Sequence, residues 1–450
     1  MSMSPNIRWI RRLIWTYFWL LLFEGALRKW VVPSLSNPLL IVRTPVAIAI
    51  YWLAFQARIF PFNRWVLACV LLAFVSLFAG LYVLQDTPAV ALFGFQADFL
   101  HLPLIFVIPC VFDREDVRRI GFWTLVMCLP MALLMVLQYQ ASPSAWINAG
   151  AGIGSSQIDA GGGHIRPAGT FSYILGPAFF FPLAATFLLT CQFLNMRYPR
   201  WLLVASTLSL LIGAAVSSSR TLAASVGIVL VCALVAGLFL QPVMASSRLL
   251  IRMLAACSVI GVAAFLVIQL PVFNKGLQTF NDRIQGSGKT EGGTQGFVNR
   301  GMRGFTEPLE FLADTPLLGR GLGMGTNAGS TLITGGQATY LLAEGEWTRV
   351  ILESGPIVGG VYLLLRVLLG LWLGGMAVQA SRHGNTLPFL IFACCLPPLL
   401  TGQFGQPTEL GFAVFGAGLT LAAMRLPAAF PAATGQAADV AATQAIGQAA

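Results

Sequence analysis

Hydrophobic residues in this chain come in long unbroken runs rather than in alternation, and the runs recur along almost its whole length. A spanning helix needs roughly 20 mostly apolar residues, because a bilayer's hydrocarbon core is about 30 Å thick and each helical residue rises about 1.5 Å. Measured with that ruler, the chain predicts about twelve spanning helices. They lie near Leu13–Leu27, Pro38–Phe55, Val66–Leu84, Leu92–Phe112, Ile120–Tyr139, Phe171–Phe193, Trp201–Val216, Leu222–Leu240, Leu249–Leu270, Pro356–Val378, Pro388–Gln403 and Leu410–Met424. A closed barrel would instead show short segments of alternating polarity, and runs such as Trp65–Leu84 do not alternate. The predicted fold class is therefore an all-α integral membrane protein, with about 12 transmembrane helices and a long, partly helical periplasmic loop near residues 271–347.

Composition agrees. The 450 residues are 57% hydrophobic and 10% charged, whereas a soluble domain carries about 25% charged residues. That excludes an ordinary soluble fold. The first apolar segment has a basic flank (Arg8, Arg11, Arg12), but Glu24, Arg28 and Lys29 follow it where a small-residue cleavage site would stand, so it reads as a spanning helix. With the N-terminus inside, the inward connections hold Arg58, Arg64, Arg114, Arg118, Arg119, Arg197, Arg200, Arg248, Arg252 and Arg382, and the C-terminal end adds Arg425. Among the short outward loops, Arg28 and Lys29 are the main exception. This excess predicts a bacterial inner-membrane protein with both termini cytoplasmic and residues 140–170 and 271–347 outside. The net charge of +10 reflects that topology and implies no nucleic acid. Residues 1–430 form one membrane domain, and the Ala/Gln/Gly-rich stretch 431–450 reads as a disordered tail.

Several chemistries find no motif. The eight cysteines all fall in apolar stretches without metal-site spacing, and His101, His164 and His383 are too scattered for zinc. Neither a Walker loop nor a dinucleotide fingerprint is present. The expectation is no metal and no cofactor.

The long outside loop is the segment that needs a reason, since structureless loops beyond about 15 residues are uncommon. Met302, Phe305, Leu309 and Leu312 recur near helical spacing, predicting an amphipathic helix over Arg300–Leu317 that ends in a glycine-rich turn. A second helix is predicted from near Gln337 through Trp347 and Arg349 to Glu353, with Gly355-Pro356 as its break. Arg300, Arg303, Glu307, Glu310, Arg320, Glu344, Glu346, Arg349 and Glu353 cluster there. Two readings compete: a solvated hairpin with surface charge, or a catalytic cap over the membrane. Buried charge is the second clue. Arg220 follows Ser217-Ser218-Ser219 between two apolar runs, Arg366 sits in mid-helix, Asp98 and His101 are three apart, and Glu24 and Arg43 are placed to pair. Charges at membrane depth are costly and normally partnered. Arginine also suits phosphate, to which it donates two parallel hydrogen bonds while keeping its charge.

Four segments in order, Arg166-Pro-Ala-Gly-Thr-Phe171, Ser217-Ser-Ser-Arg-Thr221, Asp314-Thr-Pro-Leu-Leu-Gly-Arg-Gly-Leu-Gly323 and Glu353-Ser-Gly-Pro356, give the chain a recognisable pattern. It resembles the O-antigen ligase and polymerase superfamily of bacterial surface-polysaccharide assembly. The resemblance implies metal-independent transfer of a glycan from a polyprenyl pyrophosphate to an acceptor glycan at the periplasmic face. It implies Arg166 and Arg220 as pyrophosphate ligands, with Arg300, Arg303 and Arg349 as further candidates. In the ligases a histidine stands upstream of the E-x-G glutamate, where this chain has Glu344. Glu344 or Glu346 is the expected general base, a role open to a carboxylate, and the alternative is that both only orient Arg349 or Arg303. The departure weighs against ligase more than polymerase. Expected partners are the polyprenyl-pyrophosphate-linked glycan, membrane lipids and other polysaccharide export proteins. The rival classes are a transporter of a lipid-linked glycan or anionic solute, and a non-catalytic scaffold of a synthesis complex.

Overall fold

A computed structural model of the chain describes residues 5–151, 157–161, 163–193, 198–240, 293–334, 342–343 and 345–425. The expected span Leu249–Leu270, the tail 431–450 and Glu344 lie outside the described residues.

The fold is helical. In chain order the helices are α1 (Pro5–Ala26), α2 (Arg43–Gln56), α3 (Arg64–Val83), α4 (Pro88–Phe95), α5 (Leu104–Val111), α6 (Arg114–Gln140), α7 (Leu175–Phe193), α8 (Arg200–Ser217) and α9 (Arg220–Val235). After them come α10 (Gly293–Glu310), α11 (Asn327–Thr334), α12 (Glu346–Arg382), α13 (Leu387–Thr401) and α14 (Pro407–Ala423). A small antiparallel pair, β1 (Asp159–Gly161) and β2 (His164–Ile165), sets Asp159 opposite Ile165. Among the described residues six helices are long and apolar enough to cross a membrane, or up to seven if the bent pair Pro88–Leu100 and Leu104–Val111 is one span. Leu175–Cys191, Leu387–Thr401 and Pro407–Ala423 are shorter apolar helices.

Capping explains some of the starts. Asn63 accepts from the amides of Trp65 and Val66 ahead of α3, and Asp113 and Asp116 form a reciprocal capping box that opens α6. The bent pair turns by 42° at a break that contains Pro103. In α12 the backbone turns sharply at Gly355 (φ 80°, ψ 167°), where the helix was expected to break.

The bundle has two ends. At one, Arg11 pairs with Asp113 (2.9 Å) and Asp116 (3.2 Å), and the Tyr198 hydroxyl donates to the Arg118 carbonyl. Asn385 Nδ2 donates to the Ala423 carbonyl there. At the other, Lys29 Nζ donates to the Gly169 carbonyl, Trp30 to that of Trp146, and Trp347 to that of Leu400. Successive long helices therefore run in opposite directions between the ends.

Burial is organised around α14, whose residues from Glu409 to Ala423 are all buried, as expected of a helix apolar on every side. The outer helices turn apolar side chains outward instead: Leu67, Leu71, Phe74 and Phe78 on α3, and Leu364, Leu368 and Leu371 on α12. A continuous apolar exterior of this kind is foreign to soluble monomers and suits a lipid surround.

The loop segment differs in detail from expectation. The amphipathic helix starts earlier, as α10, and stops at Glu310; α11 was not anticipated; and α12 begins at Glu346, the expected start near Gln337 lying outside the described residues. The outward apolar residues of α10, Met302 and Leu309, carry the periodicity that made it legible.

Candidate functional site

The glycine-rich turn between α10 and α11 is the element that builds the site. Gly319, Gly321 and Gly323 all have positive φ. A side chain at Gly319 would sit 2.2 Å from the Glu353 carbonyl, and one at Gly323 would sit 2.3 Å from the Val90 carbonyl. Only glycine lets this turn lie flat against α4 and α12. The amides so placed point at one carboxylate: Gly323 N–H donates to Glu353 Oε2 (3.0 Å) and Gly325 N–H to Glu353 Oε1 (2.7 Å).

Glu353 belongs to a buried charge network. Arg349 donates from Nε to Glu346 Oε2 (2.8 Å), from Nη1 to Glu353 Oε2 (2.7 Å) and from Nη2 to Asp98 Oδ1 (2.8 Å). Arg366 Nη1 reaches Glu346 Oε1 at 2.5 Å, while its Nε and Nη2 donate to the carbonyls of Leu399 and Gly402. All five charged side chains are almost wholly buried. Two guanidiniums and three carboxylates would leave one excess negative charge, which the amides of Gly323 and Gly325 help to offset. The network ties the segment just after α4, α12, α13 and the glycine turn together.

A second network lies beside it. Arg43 Nε donates to Glu24 Oε2 (3.1 Å), Arg43 also bonds the Pro407 carbonyl, and Arg28 lies 3.7 Å from Glu24. Tyr17 hydroxyl links Arg43 to His101 Nδ1 (3.2 Å). The expected Glu24–Arg43 pair is thus present. Asp98 and His101, close in sequence, serve different networks.

The Arg166–Phe171 segment is clamped at the same end. Lys29 Nζ (2.6 Å) and Gln138 Nε2 (3.3 Å) donate to the Gly169 carbonyl, Gln138 Oε1 accepts from the Gly169 amide, and Thr170 Oγ1 donates to the Leu22 carbonyl. Burial pushes the Lys29 ammonium, which lies beyond the end of α1, down to about 7. Arg166 is half-buried, and its Nε has no hydrogen-bond partner.

A cavity of ≈ 360 Å³ opens between these elements. Its lining includes Tyr173, Thr221, Gly304, Glu346, Gln403 and Glu409. Of the predicted residues Glu346 is in the wall, while Arg220 and Arg303 are the chain neighbours of the lining residues Thr221 and Gly304. Arg220 is half-buried at the start of α9, after Ser218, which takes the left-handed conformation (φ 49°), and Ser219, whose side chain accepts from the Leu222 amide. Arg303 is exposed on α10. Arg349 points instead into its three carboxylates, and Glu346 is held by two guanidiniums. Arg300 lies on α10 without a described side chain, and Glu344 lies outside the described residues. Among the described residues no group of three or more His, Cys, Asp or Glu is placed to hold a metal ion.

Sequence reasoning missed two participants. Asp98 was noticed for its neighbour His101 rather than for Arg349, 251 residues away. Glu409 was not noticed at all, because one acidic residue in the first turn of a helix reads as an ordinary complement to the helix dipole. In comparisons with known proteins, no family model matches the chain and no curated protein is found to be similar to it.

Proposed function

We propose that this chain is a polytopic membrane glycosyltransferase. In this reading it transfers a glycan from a polyprenyl-pyrophosphate carrier to an acceptor glycan, extending a polysaccharide as a polymerase. The end of the bundle that carries the cavity is the periplasmic face of the bacterial inner membrane, about twelve helices span, and both termini are cytoplasmic. The distribution of arginine supports that orientation: Arg58, Arg64, Arg114, Arg118, Arg119, Arg200, Arg382 and Arg425 all belong to the end away from the cavity.

The observation that carries the reading is that α9, α10 and α12 all contribute to the wall of one cavity, through Thr221, Gly304 and Glu346, with Arg220 and Arg303 next in sequence to the first two. Its volume falls within the ~300–1,000 Å³ range of small-molecule sites. In this reading Arg220 and Arg303, next in sequence to the lining residues Thr221 and Gly304, are the pyrophosphate ligands, with Arg166 on the clamped segment that leads to Tyr173 in the wall. Charge stabilisation of the departing pyrophosphate and alignment of the acceptor hydroxyl supply the catalysis. Glu346, whose oxygens are taken by Arg349 and Arg366, acts by fixing the start of α12 against α13.

The test is Arg220→Ala and Arg220→Lys in cells that make the polymer. Alanine should abolish polymer while the protein still inserts at normal level. Lysine, a point charge without the planar fork, should restore only part of it. Normal polymer from Arg220→Ala would remove the basis of the proposal. Lipid-linked repeats held on the cytoplasmic side would favour a transporter instead.

A further inference from the structure

One carboxylate in the cavity wall is built differently from its neighbours. Glu409 stands in the first turn of α14, the central helix, and is 4% exposed. Its Oε2 accepts the Gln403 amide at 2.8 Å, and its Oε1 is buried with no hydrogen-bond partner. Asp98, Glu346, Glu353 and Glu24 all pair with arginine. Among the described residues no arginine or lysine comes within ion-pair distance of Glu409. The loop that holds it is fixed by the Gln406 side chain, which donates to Gln403 Oε1 at 2.8 Å. Gln403, Gln406 and Thr221, the residue after Arg220, line the same cavity. A buried carboxylate oxygen with nothing to accept from is a standing cost to the fold, and the side chain that carries it lines a cavity of ≈ 360 Å³.

We propose that Glu409 is the general base of the transfer, an assignment that rests on the glycosyltransferase reading above. The acceptor hydroxyl donates to Glu409 Oε1. Its oxygen then forms the bond to the donor's anomeric carbon as the bond from that carbon to the pyrophosphate oxygen breaks. The bonding pair leaves with the polyprenyl pyrophosphate, and the hydroxyl proton passes to Oε1. An in-line displacement then requires the pyrophosphate, and the arginines that bind it, to lie on the side of the anomeric carbon away from Glu409. Gln403 and Gln406 are the neutral groups suited to hold the other hydroxyls of a sugar.

The experiment uses the full chain in proteoliposomes, with lipid-linked glycan extracted from cells lacking the gene as donor and acceptor. Glu409→Gln keeps the shape and an oxygen for the Gln403 amide but cannot take a proton. Transfer should fall by ~10²–10⁴-fold, while binding of polyprenyl pyrophosphate, read by native mass spectrometry, stays at the wild-type level. Formate added to Glu409→Ala should return part of the rate and leave the wild type unaffected. Loss of less than about tenfold in Glu409→Gln, below the usual range for a general base, would overturn the assignment. Equal loss of binding and transfer, or no response to formate, would also overturn it by making Glu409 structural. If the wild type itself transfers nothing from that donor, the glycosyltransferase reading fails, and this assignment fails with it.

Discussion

Arg349→Met is the perturbation that tests the buried network most severely. It removes one guanidinium from three carboxylates bonded at 2.7–2.8 Å, none of them more than 4% exposed at the side chain. Glu346 keeps Arg366 at 2.5 Å and Glu353 keeps the amides of Gly323 and Gly325, but Asp98 Oδ1 loses its guanidinium. Breaking a buried pair by removing one partner costs about 3–5 kcal/mol, chiefly because the remaining charge is stranded. The single substitution should therefore destabilise by at least about 3 kcal/mol. The same argument predicts rescue. Adding Asp98→Asn and Glu353→Gln removes the stranded charges and leaves Glu346–Arg366 as a balanced pair, so the triple variant should recover at least about half the loss. Denaturant titration of the full chain in mixed micelles, followed by tryptophan fluorescence, gives both differences. A single variant that loses under about 1 kcal/mol, or a triple variant no more stable than the single, would refute the account of the network as a charge-balanced clamp.

Other predictions follow from single features. Gly323→Ala forces a side chain onto a backbone at φ 84° and against the Val90 carbonyl; it should cost at least about 1–3 kcal/mol and lower the folded yield measured by size-exclusion profile. Lys29 gives a pH signature. Its folded value near 7 lies below its ordinary range, so between about pH 7 and 10 the unfolded chain binds more protons and stability rises with pH. In Lys29→Met that rise, measured by thermal melts across the range, should be absent. The orientation is tested with single cysteines at two exposed sites, in a background lacking the native cysteines. Arg320→Cys should react with an impermeant maleimide from outside, and Arg382→Cys only after permeabilisation.

Much of the architecture was legible because a lipid surround makes hydrophobic runs diagnostic. The run Val66–Leu84 falls on α3 almost residue for residue, and Gly355-Pro356 marked the turn in α12. Helix bends were less legible: Leu92–Phe112 reads as one run, yet the chain bends at a break that contains Pro103. Of the candidate site, the Glu24–Arg43 pair was readable because both residues stand near the same end of consecutive helices. The partners of Arg366 and Asp98 were not, since side-chain pairing across a bundle depends on helix rotation, which hydropathy does not encode. Glu346 looked like a base from its place in the chain, but its two guanidinium partners come from one turn along its own helix and from mid-helix beyond the kink. Glu409 had no sequence signal, because what distinguishes it is burial with no arginine or lysine paired to it among the described residues.

The central claim is tested most directly by mass spectrometry of lipid-linked glycans in cells with and without this gene. The account predicts that loss of the gene, or Arg220→Ala in its place, causes single-repeat polyprenyl-pyrophosphate glycans to accumulate on the periplasmic face while polymer disappears. An unchanged profile of lipid-linked glycans and polymer would contradict it.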